Sequence, residues 1–371
     1  MNRAIATIDV GAIERNCARI VGDLDPGASL CAVVKAGGYG HGAVECARAA
    51  IRGGASYLAV ATAAEAAELR AAFPDRLTLT MGALSESELD LALAAGSEIA
   101  VWSENFMRVV ERRADAHGAT ARVHVKHDSG MGRLGESDPS VVEALCEAAV
   151  GLIELVGLWT HYATADEADS SYLSEQVRRF SEVVERVRAK REVPLVHASN
   201  SAAALGDVAP DLDMVRCGVA IYGLDPLQSD PAARALEPAI MLSSYVAAVK
   251  RFPAGTSAGY GRSWSAERDT WVAVLPIGYG DGYRRGLTNN AEVLIGGRRY
   301  PLVGTVSMDN VTVDLGSETD VGVGDEVVLI GAQDEERILC EELAERLGTI
   351  NYEVVTGIAP RVPREYVGAG S

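Results

Sequence analysis

Lys35 closes the apolar run Cys31-Ala32-Val33-Val34 and is followed by Gly37, Gly38, Gly40 and Gly42. A lysine ending a buried strand is partly desolvated, which lowers its pKa and frees the amine for Schiff-base chemistry with a carbonyl. The glycines let the backbone come close to a ligand. The same position also suits a strand-end lysine that reaches solvent along its apolar stem. The glycine spacing is neither that of a P-loop nor that of a dinucleotide fingerprint, so nothing here points to a nucleotide.

Further along, Met214-Val215-Arg216-Cys217-Gly218-Val219 ends one β-rich run and opens a helical turn. The backbone N–H groups of Gly218 and Val219 are placed to hold a phosphate. Arg216 reads as a cation aimed into a pocket or as a surface ion-pair partner. In His197-Ala198-Ser199-Asn200-Ser201, Ser201 is a second phosphate ligand or a helix N-cap. Val125-Lys126-His127-Asp128 through Arg133 gathers charge at one strand end, and Trp159-Thr160-His161-Tyr162 ends another. Tyr260, Tyr279 and Tyr283 are flanked by glycine, as if presented to a ligand. The sequence has neither a metal-binding His/Cys cluster nor a G-x-S-x-G elbow.

Elements must position these groups. Eight β-rich runs alternate with helical spacing: Leu30–Val34, Tyr57–Val60, Leu77–Met81, Ile99–Trp102, Ala121–Lys126, Ile153–Trp159, Leu195–Ala198 and Met214–Cys217. Such alternation predicts parallel strands with helices outside, and eight units predict a closed (β/α)8 barrel with its chemistry at the C-terminal strand ends. The proline-bearing stretch Asp225–Pro238 reads as a connection between domains. Beyond it the pattern predicts antiparallel strands, a hairpin turn at Gly296-Gly297 and one short helix, Cys340–Leu347. Ala4–Asp9 is expected to pair with that β-rich part. The expected division is a barrel at 10–230 and a mostly-β C-terminal domain formed by 1–9 and 235–371.

Composition excludes whole classes. The chain has 371 residues and a formal net charge of −18, with no basic patch to hold a nucleic acid. No apolar run approaches the roughly 18 residues that a membrane span needs. The N-terminus leaves no room for a signal-peptide core before Asp9. Six unpaired-looking cysteines in apolar surroundings suit reduced thiols in a cytoplasmic protein.

Taken together, these stretches resemble the alanine racemases, the fold-type III pyridoxal phosphate (PLP) family. Met131–Gly135, Thr160–Asp166, Asn200–Ala202, Arg216–Gly223, Pro276–Tyr279, Val303–Asp309 and Asn351–Glu353 join the Lys35 segment, in the family's order. The resemblance implies an N-terminal barrel, a β-rich C-terminal domain and a homodimer whose active sites are each completed by the partner. It implies that Lys35 binds PLP and serves as one acid/base group, with Tyr260 of a second copy as the other. Lys35 acts on the D-amino acid and Tyr260 on the L-amino acid. Arg216 bonds the pyridine nitrogen and, being a permanent cation, leaves that nitrogen unprotonated. Tyr39, Ser201, Gly218, Val219 and Tyr352 hold the phosphate, with Asn200 beside them. His161 sits next to the pyridine and bonds Arg216. Arg133, Met308, Asp309 and Tyr279 serve the substrate, and Lys126 matches a lysine that is carbamylated in many members. A tyrosine base needs nearby cations, and His161 with Arg216 is the expected supply.

The implied reaction interconverts L- and D-alanine and supplies D-alanine for peptidoglycan. A broad-specificity or serine racemase of the same fold, and a non-catalytic PLP-binding protein, are the competing readings. The chain departs from the family in two places. Gly37-Gly38 stand where Asn-Ala is usual, an exchange expected to loosen the loop, and Ser307 stands where Cys is usual.

Overall fold

The computed structural model describes residues 2–169, 171–206, 208–210 and 212–368. The chain divides into two compact units, Ile13–Ile221 and Met1–Ala12 with Tyr222–Ser371.

After β1 (Ala4–Asp9), eight strands follow: β2 (Ser29–Val33), β3 (Tyr57–Val60), β4 (Thr78–Thr80), β5 (Glu98–Val101), β6 (Ala121–Lys126), β7 (Ile153–Trp159), β8 (Leu195–His197) and β9 (Met214–Cys217). β2 to β9 form a closed barrel, with β9 returning to β2 in parallel register, Cys31 opposite Arg216. The strands are apolar almost throughout because helices cover the outside and side chains fill the inside. The helices begin where the sequence supplies caps. Thr62 with Glu65 and Ser85 with Glu88 form capping boxes, and Asp138 caps a helix with Pro139 in its first turn. One apolar core, including Ile99, Val123, Leu158, Phe180 and Val196, lies in this unit. The eight-stranded barrel expected from the alternation is present.

In the second unit the strands are β10 (Ile240–Tyr245), β11 (Ala248–Phe252), β12 (Ser257–Ala258), β13 (Trp264–Ser265), β14 (Thr270–Leu275), β15 (Glu292–Ile295), β16 (Arg298–Val303), β17 (Val311–Gly316), β18 (Glu326–Gln333), β19 (Glu336–Ile338) and β20 (Arg364–Val367). One sheet runs β11-β14-β17-β16-β15-β18-β10-β1-β20, with β19 on β18, and β12 pairs with β13. β1 therefore joins the β-rich unit, as expected, antiparallel to β10 and parallel to β20. Gly296 and Gly297 have φ of 56° and 70° and connect β15 to β16 with Ile295 opposite Arg298. Two positive φ values in a two-residue loop are the geometry that matches strand twist.

Two expectations need correction, besides one addition. A second helix, Asn351–Thr356, follows Cys340–Leu347; it is too short to show a period in the sequence. The stretch 225–238 is held in place by side-chain contacts. Asp225 is fully buried, its carboxylate ion-pairs with Arg234, and its carbonyl accepts from Asn351. Tyr283, though flanked by glycine, is buried rather than presented.

None of the six cysteines forms a disulfide, and all six are buried. Burial raises the thiols of Cys17, Cys31, Cys46, Cys146 and Cys340 above their ordinary value, which makes them poor nucleophiles. Among the described residues no helix is long and apolar enough to cross a membrane.

Candidate functional site

Lys35 leaves β2 into a turn of unusual hand. Ala36, Gly37, Gly38 and Tyr39 have φ of 52°, 61°, 63° and 52°. This is a left-handed turn, closed by Gly40 N–H to Ala36 O at 3.0 Å and Gly42 N–H to Gly37 O at 2.7 Å. Such a turn disfavours any residue with a Cβ, so glycine at 37 and 38 relieves strain here. That reverses the loosening expected of Gly37-Gly38. The carboxylate of Glu65, unnoticed in the sequence, pins the turn: it accepts from Ala36 N at 2.6 Å and from Ala61 N at 2.9 Å. Burial lowers the Lys35 amine below its ordinary value. The cations Arg133 and Arg216 add to this, and Glu65 opposes it.

Tyr39 brings its hydroxyl from this turn to the end of β9. It is almost fully buried, and it packs so closely on Gly218 that a Cβ there would lie 2.2 Å from the phenolic oxygen. Burial raises the phenol above its ordinary value, so it stays a neutral donor. Ser201 is not the helix cap. Asn200 takes that place, its side-chain oxygen accepting from Ala203 N at 3.1 Å, while Ser201 Oγ accepts from Gly218 N at 3.0 Å and Ala220 N at 3.4 Å. Tyr39, Ser201 and Gly218 thus converge. Val219 follows at the start of a 3-10 turn, Val219–Tyr222.

Arg216 lies inside the barrel, 3% exposed. Its Nη2 donates to the carbonyls of Thr160 and Ala198, both at 2.9 Å, and meets His161 Nδ1 at 3.1 Å; its Nη1 meets His197 Nδ1 at 2.8 Å. The Trp159 ring supports it from below at 4.8 Å and also lies 4.6 Å from the Lys126 amine. The surface ion-pair reading of Arg216 fails: the side chain is buried, and among the described residues none of its hydrogen-bond partners is a carboxylate. The His161–Arg216 contact expected from the resemblance is present. Burial holds His161 well below its ordinary value, with Arg216, Arg133, Lys126 and Lys35 adding to the effect. His161 is therefore neutral and supplies no positive charge, which corrects its expected role as a cation.

Lys126 ends β6. Burial, then Arg133 and Arg216, pull its amine down to about 8. The loop that follows is shaped by Asp128, whose carboxylate accepts from the amides of Gly130, Met131 and Gly132 at 2.7–3.2 Å. That loop carries the exposed Arg133.

In the second unit, Tyr260 is 75% exposed, and its carbonyl is held by Thr305 Oγ1 at 2.7 Å. Tyr279 and Met308 are also exposed, on adjoining loops joined by Tyr279 N–H to Ser307 O at 3.0 Å. The Asp309 carboxylate is already engaged, at 2.8 Å from Arg361 and 3.6 Å from Arg3. The buried Asp281 shares both arginines. These four charges fix the loops that display Tyr279 and Met308. Tyr352 is half-buried in the helix Asn351–Thr356.

The alanine racemase N-terminal domain profile matches residues 8–226, and the C-terminal domain profile matches 239–366. The chain belongs to the alanine racemase family. A curated alanine racemase from Frankia casuarinae is 40% identical over 98% of this chain and 96% of the relative. One from Desulfovibrio desulfuricans is 39% identical over 98% of this chain and 97% of the relative. Among solved structures, alanine racemase from the D-cycloserine producer Streptomyces lavendulae superposes with a TM-score of 0.94 at 34% identity, covering 100% of this chain and 98% of that one. That from E. faecalis gives 0.92 at 36% identity, covering 99% and 98%. Family membership and the barrel therefore agree, and Lys35, Tyr39, Ser201, Arg216 and Gly218 lie at the C-terminal strand ends where barrel enzymes keep their chemistry.

Proposed function

We propose that this chain is an isomerase that interconverts L- and D-alanine with PLP, in a homodimer with shared active sites. The observation that carries the reading is the barrel mouth itself. A desolvated lysine, a buried guanidinium and a cradle of two hydroxyls on a glycine backbone meet at neighbouring strand ends. Those donors fit PLP. Lys35 offers an amine to its aldehyde. Tyr39, Ser201, Gly218 and Val219, with Asn200 beside them, suit its phosphate. Arg216 suits its ring nitrogen, with His161 at its side.

Bound PLP would acidify the Cα–H of an attached amino acid by drawing the electron pair into its ring. The chain's own residues do the rest. Lys35, with its lowered affinity for protons, removes the Cα proton of D-alanine on one face while Tyr260 from a second copy delivers a proton to the opposite face, giving L-alanine. In the other direction Tyr260 removes the proton of L-alanine and Lys35 delivers one. Arg216 would donate a hydrogen bond to the ring nitrogen without giving up its proton, which leaves that nitrogen unprotonated. Arg133, on its Asp128-shaped loop, binds the substrate carboxylate with the Met308 backbone, and Lys126, as its carbamate, steadies Arg133. Asp309 holds the Met308 loop through Arg361. By their motifs alone, Tyr279 is assigned to the substrate entrance and Tyr352 to the phosphate. The residues of the second unit enter this proposal by their motifs. The product D-alanine suits a cytoplasmic role in peptidoglycan supply.

A panel of amino acids offered to the purified protein, read by chiral chromatography beside its visible spectrum, tests the reading. Racemisation of alanine above all others, by a yellow protein, is expected. A serine preference, or a colourless inactive protein, would overturn it.

A further inference from the structure

Behind Arg216 runs a buried line of side chains, Glu98, His124 and His197, that the chemistry above does not use. Glu98 opens β5 at the end of the barrel opposite Lys35, and it is fully buried. Its Oε2 meets His124 Nε2 at 2.7 Å, His124 Nδ1 meets His197 Nε2 at 2.9 Å, and His197 Nδ1 meets Arg216 Nη1 at 2.8 Å. Both histidines are fully buried, and the Trp159 ring lies flat against His197, 11° from parallel at 5.6 Å.

The chemistry allows one direction along this line. A guanidinium only donates, so His197 Nδ1 is a lone pair and its proton sits on Nε2. His197 Nε2–H therefore donates to His124 Nδ1, which is a lone pair in turn. His124 then carries its proton on Nε2 and donates it to the Glu98 carboxylate, which only accepts. Burial and the neighbouring Arg216 hold His197 well below its ordinary value, which agrees with a neutral ring.

Gly157 makes the line geometrically possible. It sits on β7, between the strands that carry the two histidines. A Cβ there would stand 2.3 Å from His124 Nδ1, the atom that bonds His197. Its φ is not in the left-handed region, so this glycine is required for space. The register of β6 on β7 also shifts at Val123/His124, a bulge that re-aims the histidine.

The hydrogen-bond partners of Arg216 are two carbonyls and two imidazoles. A buried cation without a counter-ion is costly, yet an adjacent carboxylate would compete for the donors that face the mouth. We propose that Glu98 is the remote counter-ion and positioning residue of Arg216, acting through the fixed tautomers of His124 and His197 in the space that Gly157 leaves. This rests on the reading that Arg216 faces the PLP ring nitrogen. The bland alternative is the ion pair of Glu98 Oε1 with Arg122 at 3.0 Å, which would make Glu98 purely structural.

The test uses ¹⁵N-histidine-labelled holoenzyme. Two-bond ¹H–¹⁵N correlations should show His124 and His197 as neutral Nε2–H tautomers in the unaltered protein. Glu98→Gln, which accepts either direction of donation, should mix those tautomers, shift the visible band of bound PLP and weaken PLP binding by about 10-fold, the lower range of outer-shell effects at ligand sites. Gly157→Ala should do the same without removing a charge. Arg122→Gln should leave tautomers and band unchanged. An Nδ1–H tautomer at His197 in the unaltered protein overturns the proposal even if every variant fails to fold. So does a Glu98→Gln protein with unchanged tautomers, band and PLP affinity. An unaltered protein that binds no PLP would instead defeat the cofactor reading, with the tautomers still measurable.

Discussion

The hydroxyl of Tyr39 rests against the bare Cα of Gly218, where a Cβ would stand 2.2 Å away. The two residues are far apart in sequence, on the turn after β2 and the end of β9. Their contact joins the lysine-bearing turn to the backbone assigned to the phosphate. Gly218→Ala should push the phenol out of place. Overpacking of this kind costs about 1–3 kcal/mol of stability, and PLP affinity should fall with it. Calorimetry and equilibrium dialysis check both, and an alanine variant with unaltered PLP binding would remove Tyr39 and Gly218 from the cradle.

Gly37→Ala probes the left-handed turn. Apart from its chain neighbours, no described atom lies within 4 Å of the added Cβ, so its effect is conformational. The strain of a left-handed alanine outweighs the entropy that alanine removes from the unfolded chain, for a net loss of about 1 kcal/mol. Urea unfolding measures it. A variant as stable as the parent would show that the turn is not held in this conformation.

Lys126 gives a pH signature. Its amine is neutral above about 8, and only the neutral amine adds CO₂ to form a carbamate, releasing a proton. A ¹³C carbamate signal from labelled CO₂ should therefore fall as pH drops through about 8 and be absent in Lys126→Arg. The unfolded lysine keeps its proton up to about 10.5. It binds more protons than the folded one in between, so this group makes stability rise with pH over that window. A signal that survives in Lys126→Arg would place the modification elsewhere.

Tyr260→Phe should leave stability nearly unchanged, because the side chain is exposed in its own unit. Loss of an acid/base group costs about 100-fold or more in rate. The loss should fall on abstraction from L-alanine first, read as a substrate deuterium isotope effect that differs between the two directions. Equal effects in both directions, unchanged from the parent, would argue against two bases.

The barrel was legible because parallel strands buried on both faces read as short apolar runs, with helical spacing between them; the caps that start those helices, such as Thr62 and Ser85, came from the structure. Lys35 and Arg216 stood out as charges at the ends of such runs. Glu98 did not: it precedes Ile99 and reads as the last polar residue before a strand. His124 and His197 were visible as residues but not as partners, since nothing local joins positions 73 apart. Gly157 looks like any strand glycine until the histidine behind it is seen. Glu65 reads as an ordinary capping-box residue, and only the fold shows its second oxygen on the Lys35 turn.

Every step proposed for this chain begins with capture of PLP by the amine of Lys35. Borohydride reduction of the PLP-loaded protein, followed by peptide mass spectrometry, tests it most directly. A pyridoxyl adduct on Lys35 is expected, lost together with alanine racemisation in Lys35→Ala. An adduct on Lys126 or another lysine, or full racemisation by Lys35→Ala, would contradict it.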